Sequence, residues 1–135
     1  MLVHQNGLCQ EKGQEAAPGL VVYFFGASLY FANAVRFSEE IVGLVEEAQP
    51  KVKWLDIDAA AIIEVDYTGA DTVRQVYNML QKQDVTLVFS NVIEDVKKEL
   101  DRYGLTKLIG EEHFYDSLPD VLEAYQKETG QAVEE

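Results

Sequence analysis

The sequence has 135 residues, which is room for one domain, and 47% of them are hydrophobic, enough for a core without disulfides or bound metal. Its formal net charge at pH 7 is −13, which argues against nucleic acid or anionic lipid as the main partner, because both attract Lys and Arg. A charge of this sign favours solubility and a neutral or basic protein partner.

The N-terminal residues 1–18 are polar, include Gly13 and Pro18, and show little periodicity, which predicts a flexible linker or a weak edge strand. Cys9 is the single cysteine of the sequence, so an internal disulfide cannot form, and this fits a reducing compartment. The sequence does not open with a basic segment followed by an apolar one, so no signal peptide is predicted.

A continuous run of β-branched and aromatic residues at 20–25, ended by Gly26, predicts a central strand. The wider apolar stretch extends to residue 35. It is shorter than the roughly 18–20 residues that a membrane-spanning helix needs, and Ser28 and Asn33 interrupt it. We therefore predict a buried strand, a turn and the start of a helix, with no membrane crossing in this chain.

Helical spacing begins after Asn33. Apolar residues recur on one face as far as Ala48, with Asn33 as the predicted N-cap and Pro50 as the stop. A second strand is predicted at 52–57, and the apolar residues 59–65 are compatible with a short extended piece.

Two more helices and a strand follow. The turn 66–69, Asp-Tyr-Thr-Gly, opens a second helix, and residues 85–89 predict another strand. Ser90 or Asn91 is the predicted N-cap of a third helix, which Gly104 ends.

A last helix is predicted from Ser117 to Gly130. Strands thus alternate with helices, which predicts an α/β fold with crossover connections, as one domain over 19–130 followed by a disordered tail at 131–135. Sites on such sheets lie at the carboxyl ends of the strands. The three predicted places are 26–33, 58–69 and 90–91.

Patterns that carry catalysis or metal binding are scarce. His4 and His113 lie far apart and Cys9 has no second cysteine, so no metal site is predicted. The sequence contains no nucleophile elbow, Walker loop or dinucleotide-binding glycine pattern, so we expect no enzyme activity. Asp56 and Asp58 point to the same face of one strand, and the simplest interpretation is one solvated and one capping carboxylate.

The turn 66–69 places a hydroxyl in the first turn of a helix. In the simpler interpretation Asp66 or Thr68 caps the helix and Gly69 allows close packing. In the functional interpretation Thr68 is a phosphorylatable or phosphate-sensing hydroxyl, because helix N-termini attract anions. The residues alone leave both open and favour the simpler one.

The segment 26–34, Gly-Ala-Ser-Leu-Tyr-Phe-Ala-Asn-Ala, resembles a signature of the STAS domain that ends SulP-type sulfate and bicarbonate permeases. The turn 66–69 resembles the D-x-[ST]-G loop of that family, and residues 104–114 resemble its closing segment. The resemblance covers roughly residues 19–125. Sulfate transporters and anti-sigma factor antagonists share this domain.

The resemblance implies a mixed β-sheet flanked by about four helices, in a regulatory or interaction domain of a sulfate or related inorganic anion transporter. The implied partner is the transmembrane transport domain of the same polypeptide, at the cytoplasmic face of the inner membrane. A cytosolic regulatory protein is a further candidate partner. The alternative is a stand-alone anti-sigma factor antagonist. No cofactor is expected, although purine nucleotide binding is suggested for the wider family.

The resemblance also implies site residues. Thr68 occupies the position that is phosphorylated in the anti-sigma factor antagonists, and Tyr67 replaces a residue that is often Ser there. We expect an interaction or ligand loop formed by Leu29, Tyr30, Phe31, Asn33, Asp66, Tyr67 and Gly69. Leu29, Tyr30 and Phe31 are the expected anchors for a partner. The alternative for these three is a core position, which for Phe31 is equally favoured.

Overall fold

The computed structural model describes residues 13–130 of the chain. The predictions for residues 1–12, which include His4 and Cys9, lie outside the described residues. So does the prediction for the tail at 131–135.

Five strands in the described part of the chain form one sheet, arranged in sequence order. They are β1 (Gly13–Ala17), β2 (Leu20–Phe24), β3 (Trp54–Asp58), β4 (Thr86–Ser90) and β5 (Phe114–Tyr115). β1 runs antiparallel to β2, and the other neighbouring strands are parallel, so the sheet is mixed. β1 lies at the edge because Pro18 and Gly19, with φ +86° at the glycine, turn the chain directly back into β2.

Five α-helices within residues 13–130 connect and cover the strands. They are α1 (Ala34–Glu47), α2 (Tyr67–Lys82), α3 (Glu94–Arg102), α4 (Leu105–Ile109) and α5 (Leu118–Thr129). The sequence predicted about four helices. The fifth, α4, arises because Gly104, in the left-handed region with φ +81°, ends α3 and lets the chain restart at Leu105.

The two faces of the sheet carry separate cores. Val21, Tyr23, Leu55 and Ile57 point to the face covered by the helices α1 to α4. The other face packs against α5. Its core residues are Ala17, Leu20, Trp54, Val88, Val121 and Tyr125. Because β2 is covered on both sides, its sequence is continuously apolar, as the run at 20–25 indicated. The predicted α/β fold with a mixed sheet is therefore confirmed.

One predicted helix start is wrong, while the predicted N-cap of α1 is confirmed in position. The third helix begins at Glu94 with Ile93 at its N-cap, because Ser90 is the last residue of β4 and Asn91 adopts a left-handed conformation with φ +59°. Asn33 does occupy the N-cap position of α1, but its side chain makes no cap hydrogen bond. It bonds within the preceding loop instead.

The apolar residues 59–65 form an irregular loop with a turn at 60–61 and not an extended piece, except that Val65 makes a single parallel bridge with Leu29. No helix within residues 13–130 combines the length and the apolar composition that a bilayer crossing requires.

Candidate functional site

Two loops meet at the carboxyl end of the sheet, one after β2 and one after β3. The amide of Leu29 donates to the carbonyl oxygen of Glu64 at 2.9 Å, and the amide of Asp66 donates to that of Leu29 at 3.1 Å. These bonds form the parallel bridge between Leu29 and Val65, which we call the loop bridge. It extends the parallel pairing of β2 and β3 beyond the sheet, so the two loops are held as one unit.

Asp66 joins the loop bridge to the start of α2. Its Oδ1 accepts a hydrogen bond from the amide of Gly69 at 2.7 Å, which makes Asp66 the N-cap. Its Oδ2 accepts from the amide of Phe31 in the other loop at 3.2 Å. Of the two capping residues that the sequence left open, the structure therefore shows Asp66 in that role.

Gly69 lies directly against the loop bridge. A Cβ atom at this position would overlap the carbonyl oxygen of Leu29, which is backbone and cannot move aside as a side chain can. The glycine is therefore needed for close approach of α2 to the first loop, as the simpler interpretation of the turn predicted.

Asn33 holds the turn that precedes α1. Its Oδ1 accepts from the amide of Tyr30 at 3.0 Å and its Nδ2 donates to the carbonyl oxygen of Ser28 at 2.6 Å. The side chains of Tyr30 and Phe31 project from this turn and pack edge to face, with ring centroids 6.0 Å apart.

The three expected anchors have different environments. Leu29 is a core residue, only 2% exposed, so the prediction that it contacts a partner is wrong. The loop bridge causes this, because it pulls Leu29 inward against the start of α2. Phe31, for which a core position was equally favoured, is 71% exposed, and Tyr30 is 42% exposed.

Exposed apolar side chains concentrate on the bridged loops. Eight large hydrophobic side chains are exposed within residues 13–130, and five of them lie on these loops or on the first turns of α1 and α2. We call these five the apolar patch: Tyr30, Phe31, Val35, Ile63 and Tyr67. Val35 and Ile63 were not identified from the sequence. For Val35 a signal was present, because an apolar residue outside the predicted apolar face of its helix is expected to be exposed. Such a concentration is typical of an interaction surface.

Thr68 lies beside the apolar patch, exposed in the first turn of α2. Its neighbour Tyr67 is 72% exposed, and its ring packs edge to face on Tyr103 at 6.4 Å. The hydroxyl predicted as a regulatory position is thus accessible, and acidic residues lie near it in sequence on both sides, at Asp66 and Asp71.

Asp56 is a buried polar residue whose environment the sequence did not indicate. It is fully buried on the face of β3 that α5 covers. The sequence predicted that one of Asp56 and Asp58 is solvated and the other caps, and this is wrong for Asp56. Its Oδ2 accepts from the hydroxyl of Ser90 at 2.9 Å, while its Oδ1 has no hydrogen-bond partner within residues 13–130. Asp58 does cap, since its Oδ1 accepts from the amide of Ala60 at 3.1 Å.

Burial is the main cause of an unusual acidity at this position. It raises the pKa of Asp56 to about 7, with a smaller rise from the charge of Asp58 and an opposing effect from the hydrogen bond of Ser90. At neutral pH a large share of the molecules therefore carry a proton on Asp56.

Comparison with known proteins assigns the family. The STAS domain family model matches residues 14–121, which is most of the chain. The chain belongs to the STAS domain family. The predicted resemblance is confirmed, and the bridged loops are those of a STAS domain.

The STAS domain is similar to parts of sulfate transporters. It is 32% identical over 110 residues to a probable sulfate transporter of Mycobacterium tuberculosis, a match that covers 82% of this chain and 20% of that protein. The chain thus spans about a fifth of the length of the curated relatives it matches.

Solved structures show the same fold. The SulP transporter STAS domain of Vibrio cholerae superimposes with a TM-score of 0.69 at 23% identity, over 83% of this chain and 84% of that one. A protein of Thermotoga maritima described as a putative anti-sigma factor antagonist gives a TM-score of 0.68 at 13% identity, over 82% and 90% of the two chains. Transporter domains and antagonists therefore share this architecture.

The contact at Gly69 predicts a large effect of a small substitution. Gly69→Ala should lower the free energy of unfolding by roughly 2–4 kcal/mol, because the added methyl group must displace the backbone of Leu29. Gly43→Ala is the matched control. It lies within α1 with open space around the position, and should stabilise by about 0.5–1 kcal/mol. Urea denaturation measures both, and a Gly69→Ala variant as stable as the parent would contradict the close approach.

The buried carboxyl group predicts a pH-dependent stability. The folded-state pKa of Asp56, about 7, lies above the ordinary value of 3.8 that applies on unfolding, so its contribution to stability is full below pH 4. That contribution is lost as the pH rises to 7, by roughly 3–4 kcal/mol in all.

Asp56→Asn should remove this dependence and make the domain more stable than the parent at pH 8. Unfolding in urea from pH 4 to 8 measures the difference, with Asp116→Asn, at an exposed position, as the control. Parallel stability profiles for the parent and Asp56→Asn would show that Asp56 ionises normally.

Proposed function

We propose that this STAS domain is the regulatory and interaction domain of a sulfate or related inorganic anion transporter, at the cytoplasmic face of the inner membrane. It acts by docking its apolar patch against the transport domain of the same polypeptide. The observation that carries the proposal is the presence of five exposed hydrophobic side chains on two loops held as one unit and on the first turns of the helices that follow them. The relationship to sulfate transporters supports the choice of partner.

Preorganisation favours the apolar patch as a contact surface. The loop bridge, the cap at Asp66 and the Asn33 turn all fix backbone positions before any partner binds. Binding then requires less ordering of the backbone, which lowers the entropic cost of association. Aromatic side chains such as Phe31 and Tyr67 contribute most at interfaces, because they bury a large area with few rotatable bonds.

Charge supports the same partner. The domain carries −13 at pH 7, while the cytoplasmic loops of membrane proteins carry an excess of Lys and Arg. Glu64 and Asp66 lie on the same loop as Ile63, so the apolar patch has acidic groups beside it. A domain tethered to its partner has a high effective concentration, so a weak interface is sufficient.

A non-catalytic role is consistent with the relatives. The similar proteins are a probable sulfate transporter, a transporter STAS domain and a putative anti-sigma factor antagonist. We infer that the domain binds and does not turn over a substrate. The stand-alone antagonist is the weaker alternative, since its likeness is one of fold at 13% identity against 32% for the sulfate transporter.

Docking is tested by binding between this domain and the separately purified transport domain in detergent. Phe31→Ser should weaken binding about tenfold or more, as expected when a central aromatic residue of an interface is removed. Leu108→Ser, which changes an exposed hydrophobic side chain on α4, should leave binding within about twofold of the parent. Binding should also weaken with added salt. If Phe31→Ser and Tyr67→Ser both bind like the parent, the apolar patch is not the docking surface.

Thr68 is the proposed regulatory position of the same surface. A phosphate there adds about −1.5 to −2 charges beside Tyr67, and burying that charge in an apolar interface is costly. Thr68→Glu should therefore weaken docking several-fold, while the helix N-terminus tolerates the charge and the fold remains stable. Thr68→Gln, of similar size without the charge, should dock like the parent. Equal docking by the Glu and Gln variants would remove Thr68 from the mechanism.

A further inference from the structure

Asp56 occupies the centre of a polar cluster beneath the bridged loops. β3 lies between β2 and β4, and in register Asp56 neighbours Val22 on one side and Val88 on the other. Its Oδ2 is satisfied by Ser90, and its fully buried Oδ1 is left without a hydrogen-bond partner in the described part of the chain. An ionised Asp56 is a buried charge with a single hydrogen-bond donor, the hydroxyl of Ser90. A protonated Asp56 is neutral, so its burial costs less free energy.

Asp58 is the charged group that opposes the ionisation of Asp56. Asp58 faces it on its own strand, and Tyr115 on β5 is close enough for the charge of Asp56 to help raise the pKa of that phenol. Glu112 and Glu128 act on Tyr115 with the same sign. From β2 and β4 the neighbours are Val22, Val88 and Ser90, and α5 packs on this face through apolar side chains. Burial and the charge of Asp58 therefore favour retention of the proton on Asp56.

The same cluster also anchors the start of the second loop. Ser90 donates its hydroxyl to Asp56. Its carbonyl oxygen accepts a hydrogen bond from the amide of Ala59 at 2.9 Å. Asp58, the like-charged neighbour, receives hydrogen bonds from the amide of Ala60 at 3.1 Å and from the side chain of Asn91 at 3.2 Å. A second negative charge at Asp56 repels the carboxylate of Asp58.

We propose that the protonation state of the buried Asp56 carboxyl group controls the order of residues 59–66 and thereby the presentation of the apolar patch. With the proton in place, the contacts of Ala59 and Ala60 are intact and the second loop is ordered. Without it, repulsion from Asp58 loosens both contacts, and Ile63 is no longer held in position. The effect on docking rests on the proposed function, but the effect on the loop does not.

The test on this chain alone combines two NMR measurements between pH 5 and 9. The carboxyl ¹³C shift of Asp56 reports its proton, and hydrogen-exchange protection factors report the amides of Ala59 and Ala60. We expect a titration midpoint between pH 6 and 8, accompanied by at least a threefold fall in both protection factors. In Asp56→Asn the fall should be absent, and in Asp58→Asn the midpoint should move to lower pH.

Ser90→Ala keeps the test decisive if Asp56→Asn does not fold. Loss of the hydroxyl that bonds to Asp56 should raise the midpoint, since that bond stabilises the ionised form. A midpoint below pH 5 in the parent, or an unchanged fall in protection in Asp56→Asn, overturns the proposal.

Docking is then compared at pH 6 and pH 8. Binding at least threefold weaker at pH 8 in the parent, but not in Asp56→Asn, is the expected result. If the parent docks equally well at both pH values while its loop responds to pH, Asp56 does not control the apolar patch. Absence of docking at either pH contradicts the proposed function and leaves the loop result standing.

Discussion

The pairing of the Leu29 and Val65 backbones is the interaction on which the rest of the site depends. Two hydrogen bonds hold the loops after β2 and β3 together, and they leave room at Leu29 only for a residue without a side chain at Gly69. With the loops joined in this way, Asp66 caps α2 and also reaches the amide of Phe31. The result is a rigid base from which aromatic side chains project, at the sheet end where α/β folds place their sites.

At this end of the sheet, few residues connect the buried Asp56 with the exposed second loop. Ser90 bonds to both the buried Asp56 and the amide of Ala59, while Asp58 accepts from the amide of Ala60 and acts on Asp56 through its charge. A change in charge within the sheet therefore has a direct route to the apolar patch. Burial within the sheet keeps the proton affinity of Asp56 high, and the charge of Asp58 adds to it.

Local sequence patterns were sufficient to predict the fold and part of the candidate site. The alternation of strands and helices, the cap at Asp66 and the role of Gly69 follow from short-range rules of turn and helix chemistry. Leu29 and Phe31 show the limit. Both are apolar and only two positions apart in one loop, and a long-range backbone bridge decides that the first is buried and the second exposed. Asp56 could not be identified as buried because that depends on where α5 packs, about sixty residues further along the chain.

Hydrogen exchange of the Leu29 and Asp66 amides in the parent domain tests the central claim most directly. These two amides form the loop bridge, so the account predicts strong and similar protection for both, comparable with amides inside β2 and β3. Exchange of either amide at the rate of an unprotected loop would show that the two loops move separately and do not form a single preorganised surface.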